Sequence, residues 1–312
     1  MPAYNEEKVI DIFFERTVSV LSKIDENFEI IVVDDGSCDA TAELVKNHHL
    51  NDSRIKLIQL SRNFGKEIAM TAGLDLAAGE VVVIIDADLQ DPPELIPKLV
   101  EKWSEGYDSV FATRTVREGE TFFKKMTASC FYRVINMLSR VQLPANTGDF
   151  RLLSRRTVEA IRLLRERHRF MKGIFSWVGY KQTCVPYVRE PRAAGATKWS
   201  YWKLWNFAIE GISSFSYIPL QTASYLGVLV AFFSFCYGAF LIFRTMIVGV
   251  DVPGYPSLMV TVLFLGGVQL IFLGMIGEYL GRMSNEAKKR PLYLVQDLVG
   301  FIPAEKQDKL PG

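Results

Sequence analysis

What this 312-residue sequence has little of narrows it at once. Cysteine is scarce: Cys38, Cys130, Cys184 and Cys236 are scattered and form no C-x-x-C pair. That excludes a readable zinc site or disulfide framework and fits a reducing compartment. Excess charge is also missing. The 36 Lys and Arg stand against 35 Asp and Glu, a net charge of +1, so nothing global favours nucleic acid as a partner. There is no internal repeat, no low-complexity tract and no Gly/Ser- or Pro-rich linker. The first residues, MPAYNEEKVI, do not read as a cleavable signal peptide. Two stretches, 211–243 and 252–277, lack charge altogether. A membrane-spanning helix needs about 20 such residues, so two transmembrane helices are expected. Lys198 and Lys203 flank them on one side, and Arg282, Lys288, Lys289 and Arg290 on the other. Positive flanks lie in the cytoplasm. The reading is therefore a multi-pass cell-membrane protein whose N-terminal region and tail are cytoplasmic.

What is present begins with alternation. FEIIVVDDGS, RIKLIQLSRN, EVVVIIDADLQ and DSVFATR read as strands, with helices over 6–21, 41–48, 66–78 and 93–105 between them. Asn5 followed by Glu6 and Glu7 reads as a helix N-cap with acids in the first turn. Such alternation predicts an α/β domain with a mostly parallel sheet. Ligands then bind outside the carboxyl ends of the strands. VVDDGS and IIDADLQ both place acids there, so Asp34, Asp35, Asp86 and Asp88 are expected to share one crevice. Further on, residues 118–141 place Phe122, Phe123, Met126, Phe131, Val134 and Leu138 at helical spacing among cations. They predict a helix lying in the membrane interface. Trp199, Trp202 and Trp205 suit the headgroup layer before the first span.

VVVIIDADLQDPPE poses the chemical question. A five-residue apolar run ends in Asp86, Asp88, Asp91 and Glu94, and like charges this close repel. Alternate residues of an extended segment share a side, so Asp86 and Asp88 project together. A divalent cation answers the repulsion. Mg²⁺ takes one or two carboxylates and completes its shell with substrate phosphates. That points to a diphosphate substrate, with Gln90 as a further neutral oxygen.

PAYNEE, VVDDGSCDAT, SRNFGKEIAMTAGLDLAAGE and DADLQDPPE, in this order, resemble the inverting glycosyltransferases of the GT-A fold. NTGDFRLLSRR, RHRFMKGIFSWVGY and TKWSYWKLWNFAIEGISSFS, followed by two spans, extend the resemblance to the polyprenyl-phosphate glycosyltransferases. These include bactoprenol glucosyltransferases and dolichol-phosphate mannose synthases. There is one departure: the family carries an apolar strand running into the proline of PAYNEE, and this sequence starts there. The sheet is expected to lose that member.

The resemblance implies roles. Pro2, Ala3, Tyr4, Glu6 and Asp34 would line the base and ribose pocket of a nucleotide-diphosphate sugar. Arg62 and Lys66 would meet the donor. Asp86, Asp88 and Gln90 would serve Mg²⁺ or Mn²⁺ and the diphosphate. Asp149 matches the acid that the family assigns as catalytic base. Arg114, Arg151, Lys198 and Ser200 would meet the phosphate of the lipid acceptor. The implied layout is a cytoplasmic GT-A domain over 1–197 and a juxtamembrane amphipathic helix over 198–215. Two spans over 216–282 and a cytoplasmic tail over 283–312 follow. A fragment ending near Asn206 is expected to keep the nucleotide site.

The leading expectation is inverting, metal-dependent transfer of glucose from UDP-glucose to a polyprenyl phosphate. GDP-mannose and other nucleotide sugars stay open as donors. A processive polysaccharide synthase would need a Q-x-x-R-W motif, which is absent. A non-catalytic membrane nucleotide-binding scaffold is the alternative of another class. Small residues in LFLGG and FLGMIG would let spans pack closely, so a homo-oligomer, with a tetramer as one possibility, is expected.

Overall fold

The computed structural model describes residues 1–114, 147–167, 169–188, 218–248 and 254–301. The chain divides into two compact units. The first holds the described residues up to 188 together with 290–301, and the second holds two long helices.

The first unit follows the predicted alternation. Strand β1 is Pro2–Ala3, and helix α1 (Ile10–Leu21) precedes β2 (Ile30–Asp34). Helix α2 (Thr41–Asn51), β3 (Ile55–Leu60), α3 (Lys66–Leu76) and β4 (Val81–Ile84) come next. A single 3₁₀ turn at Pro93–Leu95 leads into α4 (Ile96–Ser104) and β5 (Ser109–Arg114). Then come β6 (Thr147–Ser154), α5 (Arg155–Leu163), α6 (Met171–Trp177), β7 (Gln182–Tyr187) and, far along the chain, β8 (Val295–Val299). Helix α1 buries Ile10, Phe13, Phe14 and Thr17, the i, i+3, i+4, i+7 stripe of a helix lying on a core. All five residues of β2 are buried, as befits a strand covered on both faces.

The strands form two four-stranded sheets, ordered β1-β2-β3-β8 and β4-β6-β5-β7. They are mixed, which corrects the mostly parallel expectation. β1, β2 and β3 run parallel, and so do β5 and β7. β8 runs antiparallel to β3, and β6 antiparallel to both β4 and β5. The reversal of β6 decides which edge its first residues reach. In a parallel sheet the start of β6 would lie at the opposite edge from the end of β4. Running backwards, β6 begins where β4 ends.

Two cores lie against the sheets. The larger gathers Phe13, Phe14, Val32, Leu57, Leu99, Phe150 and Leu152. The smaller gathers Ile58, Leu60, Ala69, Ala72, Leu76, Tyr293 and Phe301. Tyr293 and Phe301 come from the far end of the sequence, where no strand was foreseen.

Asn5 does not cap α1, which begins at Ile10 after Val9. Asn5 has φ 56°, donates its N–H to Ser37 Oγ at 2.9 Å and accepts the Cys38 N–H at 2.9 Å. Glu6 donates its N–H to Thr41 Oγ1 at 2.9 Å. These bonds tie residues 5–6 to the exit of β2, so the helix starts later. At the proline itself the chain is in a sheet: Pro2 and Ala3 pair with Val33 and Asp34.

The second unit holds helices α7 (Ile218–Val248) and α8 (Tyr255–Ala287). Among the described residues one segment, Phe264–Ala287, is long and apolar enough to cross a membrane by length and composition, at mean hydropathy 1.4. Only one of the two expected spans meets that measure. Phe232, Phe233 and Phe240 on α7 and Leu270 and Leu273 on α8 are exposed.

Candidate active site

Register explains the centre of the site. β4 pairs with β6 from Val81↔Ser154 to Ile84↔Arg151. Two more steps in that register set Asp86 opposite Asp149. Lys66, the first residue of α3, bridges them: its Nζ donates to Asp86 Oδ2 at 2.7 Å and to Asp149 Oδ2 at 2.5 Å. A bulge helps to aim Asp149. β5 goes from Phe111 to Thr113 while β6 covers Arg151 to Thr147, so β6 has extra residues there. Bulges of this kind re-aim side chains beside functional sites. Phe150 turns into the core, edge-on to Tyr187 at 6.3 Å between ring centroids.

Electrostatics follow from this packing. Burial opposes ionisation of Asp149, but Lys66 and Lys172 outweigh it and hold the carboxyl well below its usual range. Asp149 Oδ1 is buried and makes no hydrogen bond among the described residues. Burial also lowers the Lys66 ammonium, yet Asp86 and Asp149 more than compensate and hold it above its ordinary value. Glu67, next in sequence, is pushed up to about 7, first by burial and then by the charge of Asp149. Its Oε2 accepts the Met171 N–H at 3.2 Å, which docks the start of α6 on the first turn of α3. Arg151 is only 4% exposed, and burial lowers its guanidinium to about 10. It lies over the Phe175 ring at 3.9 Å and donates to Gly148 O at 3.3 Å.

The acids after β4 divide by partner. Ala87 and Leu89 are buried, while Asp86, Asp88 and Gln90 stay partly exposed. β4 ends at Ile84 and the chain turns at 87–88, with Leu89 at φ 56°, so the extended alternation expected to project Asp86 and Asp88 together does not run through them. Asp88 Oδ1 accepts the Gln90 N–H at 3.2 Å. Asp91 is buried and accepts the Tyr187 hydroxyl. Glu94 forms a two-pronged ion pair with Arg16 at 3.0 and 2.8 Å. So Asp91 and Glu94 belong to the scaffold, and the metal question concerns Asp86 and Asp88. No cluster of three or more His, Cys, Asp or Glu able to hold a metal occurs among the described residues. Two partly exposed carboxylates, Asp86 and Asp88, are nevertheless the hard oxygen donors that Mg²⁺ or Mn²⁺ takes together with substrate phosphates.

The exit of β2 is built differently. Asp35 accepts the N–H of Phe64 at 2.7 Å and of Gly65 at 2.9 Å, fixing the loop before α3. Gly36 has φ 69°, and a Cβ there would lie 2.5 Å from the Arg62 carbonyl carbon, so only glycine fits. Asp34 is fully buried; Oδ1 accepts the Ser37 N–H at 3.1 Å, and Oδ2 makes no hydrogen bond among the described residues. Burial raises its carboxyl above the ordinary value. Ala3 is opposite Asp34 across β1–β2, Tyr4 is 42% exposed, and Glu6 follows at the same edge. Arg62 is exposed, with its guanidinium 4.5 Å from the Phe64 ring centroid.

The structure thus brings Lys66, Asp86 and Asp149 into contact and sets Pro2, Ala3, Tyr4, Glu6 and Asp34 at one strand edge. Arg114 closes β5, where its backbone pairs with Tyr187. Lys198, Ser200, the 118–141 helix and the three tryptophans lie outside the described residues. Sequence reasoning missed Glu67 and Lys172. The acid beside Lys66 in FGKE, in the first turn of α3, was the available signal for Glu67.

A glycosyl transferase family 2 domain matches residues 1–162. An uncharacterized glycosyltransferase of Synechocystis sp., sll0501, is 56% identical over 98% of this chain and 97% of its own length. The bactoprenol glucosyl transferase of Shigella phage SfV is 48% identical over 95% of this chain and 97% of its own. Among solved structures, mannosyl-3-phosphoglycerate synthase from Rubrobacter xylanophilus is similar with a TM-score of 0.46 at 18% identity, over 68% of this chain and 70% of that one. With a matching domain over more than half its length and relatives this similar from end to end, the chain belongs to glycosyltransferase family 2.

Proposed function

We propose that this protein transfers glucose from UDP-glucose to a polyprenyl phosphate at the cytoplasmic face of the cell membrane, inverting the anomeric carbon. The observation that carries the reading is the 48% identity to bactoprenol glucosyl transferase over 95% of this chain, well beyond the family domain that ends at residue 162.

Chain topology supports the membrane part. β8 follows α8 in sequence yet pairs with β3, so residues before and after the long helices share one sheet. They must lie on one side of any membrane. A crossing by Phe264–Ala287 then requires a second, and among the described residues α7 is the helix long enough to make it. Positive flanks put the shared side in the cytoplasm. Self-association through small residues of α8 belongs to the same proposal.

Pro2, Ala3, Tyr4, Glu6 and Asp34 would hold the base and ribose, Asp34 offering the buried Oδ2 that makes no hydrogen bond among the described residues. Arg62 and Lys66 would hold the diphosphate. Asp86, Asp88 and Gln90 would hold Mg²⁺ or Mn²⁺, which when bound would offset the charge of the departing nucleoside diphosphate. Arg114, Lys198 and Ser200 would meet the acceptor phosphate, with Arg151 acting from beneath because it is buried. An acceptor phosphate oxygen attacks the anomeric carbon as the bond to the diphosphate breaks. A phosphate monoester has a second pKa of about 6, so most acceptor needs no proton removed at neutral pH. Asp149, held ionised by Lys66 and Lys172, is a poor proton acceptor there. Its role in this reading is to fix Lys66 and the groups around the acceptor.

The test is a screen of the full chain in detergent. Radiolabelled UDP-glucose, GDP-mannose and UDP-N-acetylglucosamine are each offered with polyprenyl phosphate and Mg²⁺ or Mn²⁺, and the lipid product is resolved by chromatography. Label entering the lipid from UDP-glucose above the others is expected. Label from GDP-mannose alone would move the chain to a mannosyl donor, and no lipid product from any donor would overturn the reading.

A further inference from the structure

The stretch that follows α8 does more than end the chain. Tyr293 is 3% exposed and its hydroxyl donates to Asp75 Oδ2 at 2.9 Å. Asp75 lies in the last turn of α3, also buried, and takes a second bond from Arg165 at 2.8 Å. The next residue, Leu294, accepts the Ser61 N–H at 2.9 Å. β8 then pairs along β3, with an irregularity between Gln59 and Leu60. Leu292, Tyr293, Val295 and Leu298 pack with Phe64, Ile68, Ala69 and Ala72 in the smaller core.

These contacts surround one short loop. Residues 61–65 connect β3 to α3 and carry Arg62 into Lys66. Asp35 holds the far end of the loop through Phe64 and Gly65, and Gly36 lets its middle approach closely. The near end, at Ser61, is held by Leu294. Helix α3 itself is a rod of about 16 Å at 1.5 Å per residue, with Lys66 at one end and the Tyr293 anchor near the other.

We propose that residues 290–301 position the donor-binding loop, with Tyr293 as a positioning residue that sets Arg62 and Lys66 through Asp75 and α3. This rests on the reading that Arg62 and Lys66 hold the nucleotide diphosphate. It also means that a fragment ending near Asn206 lacks both β8 and a wall of the smaller core, so it does not keep an intact nucleotide site.

Tyr293→Phe in the full chain keeps the ring and removes one hydrogen bond. Asp75→Asn weakens the same anchor from the other side. Lys46→Ala is the control: Lys46 Nζ pairs with Asp297 Oδ2 at 3.1 Å, gripping β8 away from the loop. Three quantities are measured for each variant well below its melting temperature: UDP affinity with Mn²⁺, the donor KM and the acceptor KM. Tyr293→Phe and Asp75→Asn are each expected to weaken UDP affinity and raise donor KM about fivefold, the scale of one hydrogen bond. Acceptor KM stays near the parent value, and the double variant is no worse than the poorer single one. Lys46→Ala is expected to lower the melting temperature without moving donor KM. If Tyr293→Phe and Asp75→Asn melt earlier yet keep the parent donor KM and UDP affinity, the tail is structural only and the inference falls. If the parent itself binds no UDP and transfers no sugar, the donor-site reading falls and takes the inference with it.

Discussion

The exits of β2 and β4 carry similar text and do different work. Asp34-Asp35-Gly36 ends one, and Asp86-Ala87-Asp88 follows the other. At β2 the acids are buried, and Asp35 is fully engaged by loop N–H groups. At β4 they stay partly open, and Asp86 shares an ammonium with Asp149 from a reversed strand. Burial makes the difference. A buried carboxylate must be satisfied by fixed donors and so becomes architecture. A partly open one held by a long, flexible lysine can exchange that partner for a ligand. Asp34 has features of both: it is buried like Asp35, yet its Oδ2 lacks a partner among the described residues.

The comparison breaks if the two exits respond alike to substitution. The largest expected effect is at β4. Asp88→Asn should cost on the order of 10²–10³ in transfer rate, the scale of losing one preorganised charge contact in a transition state. Its melting temperature should stay within a few degrees of the parent. Initial rates in Mg²⁺ or Mn²⁺, paired with a melt, check this. Parent-like transfer by Asp88→Asn in saturating EDTA would remove the metal assignment.

A smaller and opposite effect is expected at β2. Asp35→Ala strips charge-assisted bonds from two N–H groups and should lower stability by about 2–3 kcal/mol in denaturant unfolding. Burial raises the Asp35 carboxyl above its unfolded value, with Phe64 and Gly65 opposing. This group therefore favours the folded state most at acidic pH and less as pH rises through the raised value. The deficit of Asp35→Ala against the parent should accordingly widen as pH falls through the raised value. A stable Asp35→Ala with abolished transfer would show that β2 and β4 are functionally equivalent.

Much of this contrast was legible in the sequence. Continuous apolar runs with acids at their ends marked β2 and β4. What the sequence hid is direction. Nothing in TGDFRLLS says that β6 runs against β4, and only that reversal sets Asp149 beside Asp86. Likewise PLYLVQDLVG looks like an ordinary tail, because its strand partner β3, Ile55–Leu60, and its Asp75 anchor, 218 residues before Tyr293, lie far earlier in the chain. Pairing at such distance leaves no local periodicity to read. Asp91 and Glu94 show the reverse: they sit beside Asp88 in sequence, but Tyr187 and Arg16 take them into the scaffold.

If the β4 and β6 carboxylates act as fixed charges, Asp149 should matter by position and not by taking a proton. A pH–rate profile of Asp149→Asn against the parent, with donor and acceptor saturating, tests this most directly. A fixed charge predicts a large loss that stays flat from about pH 7 to 9, because the acceptor phosphate, with its second pKa of about 6, is already ionised there. A general base would contribute roughly 10²–10⁴ only where a proton must leave. Recovery of Asp149→Asn to near-parent rates at the alkaline end would contradict the fixed-charge role and make Asp149 the base.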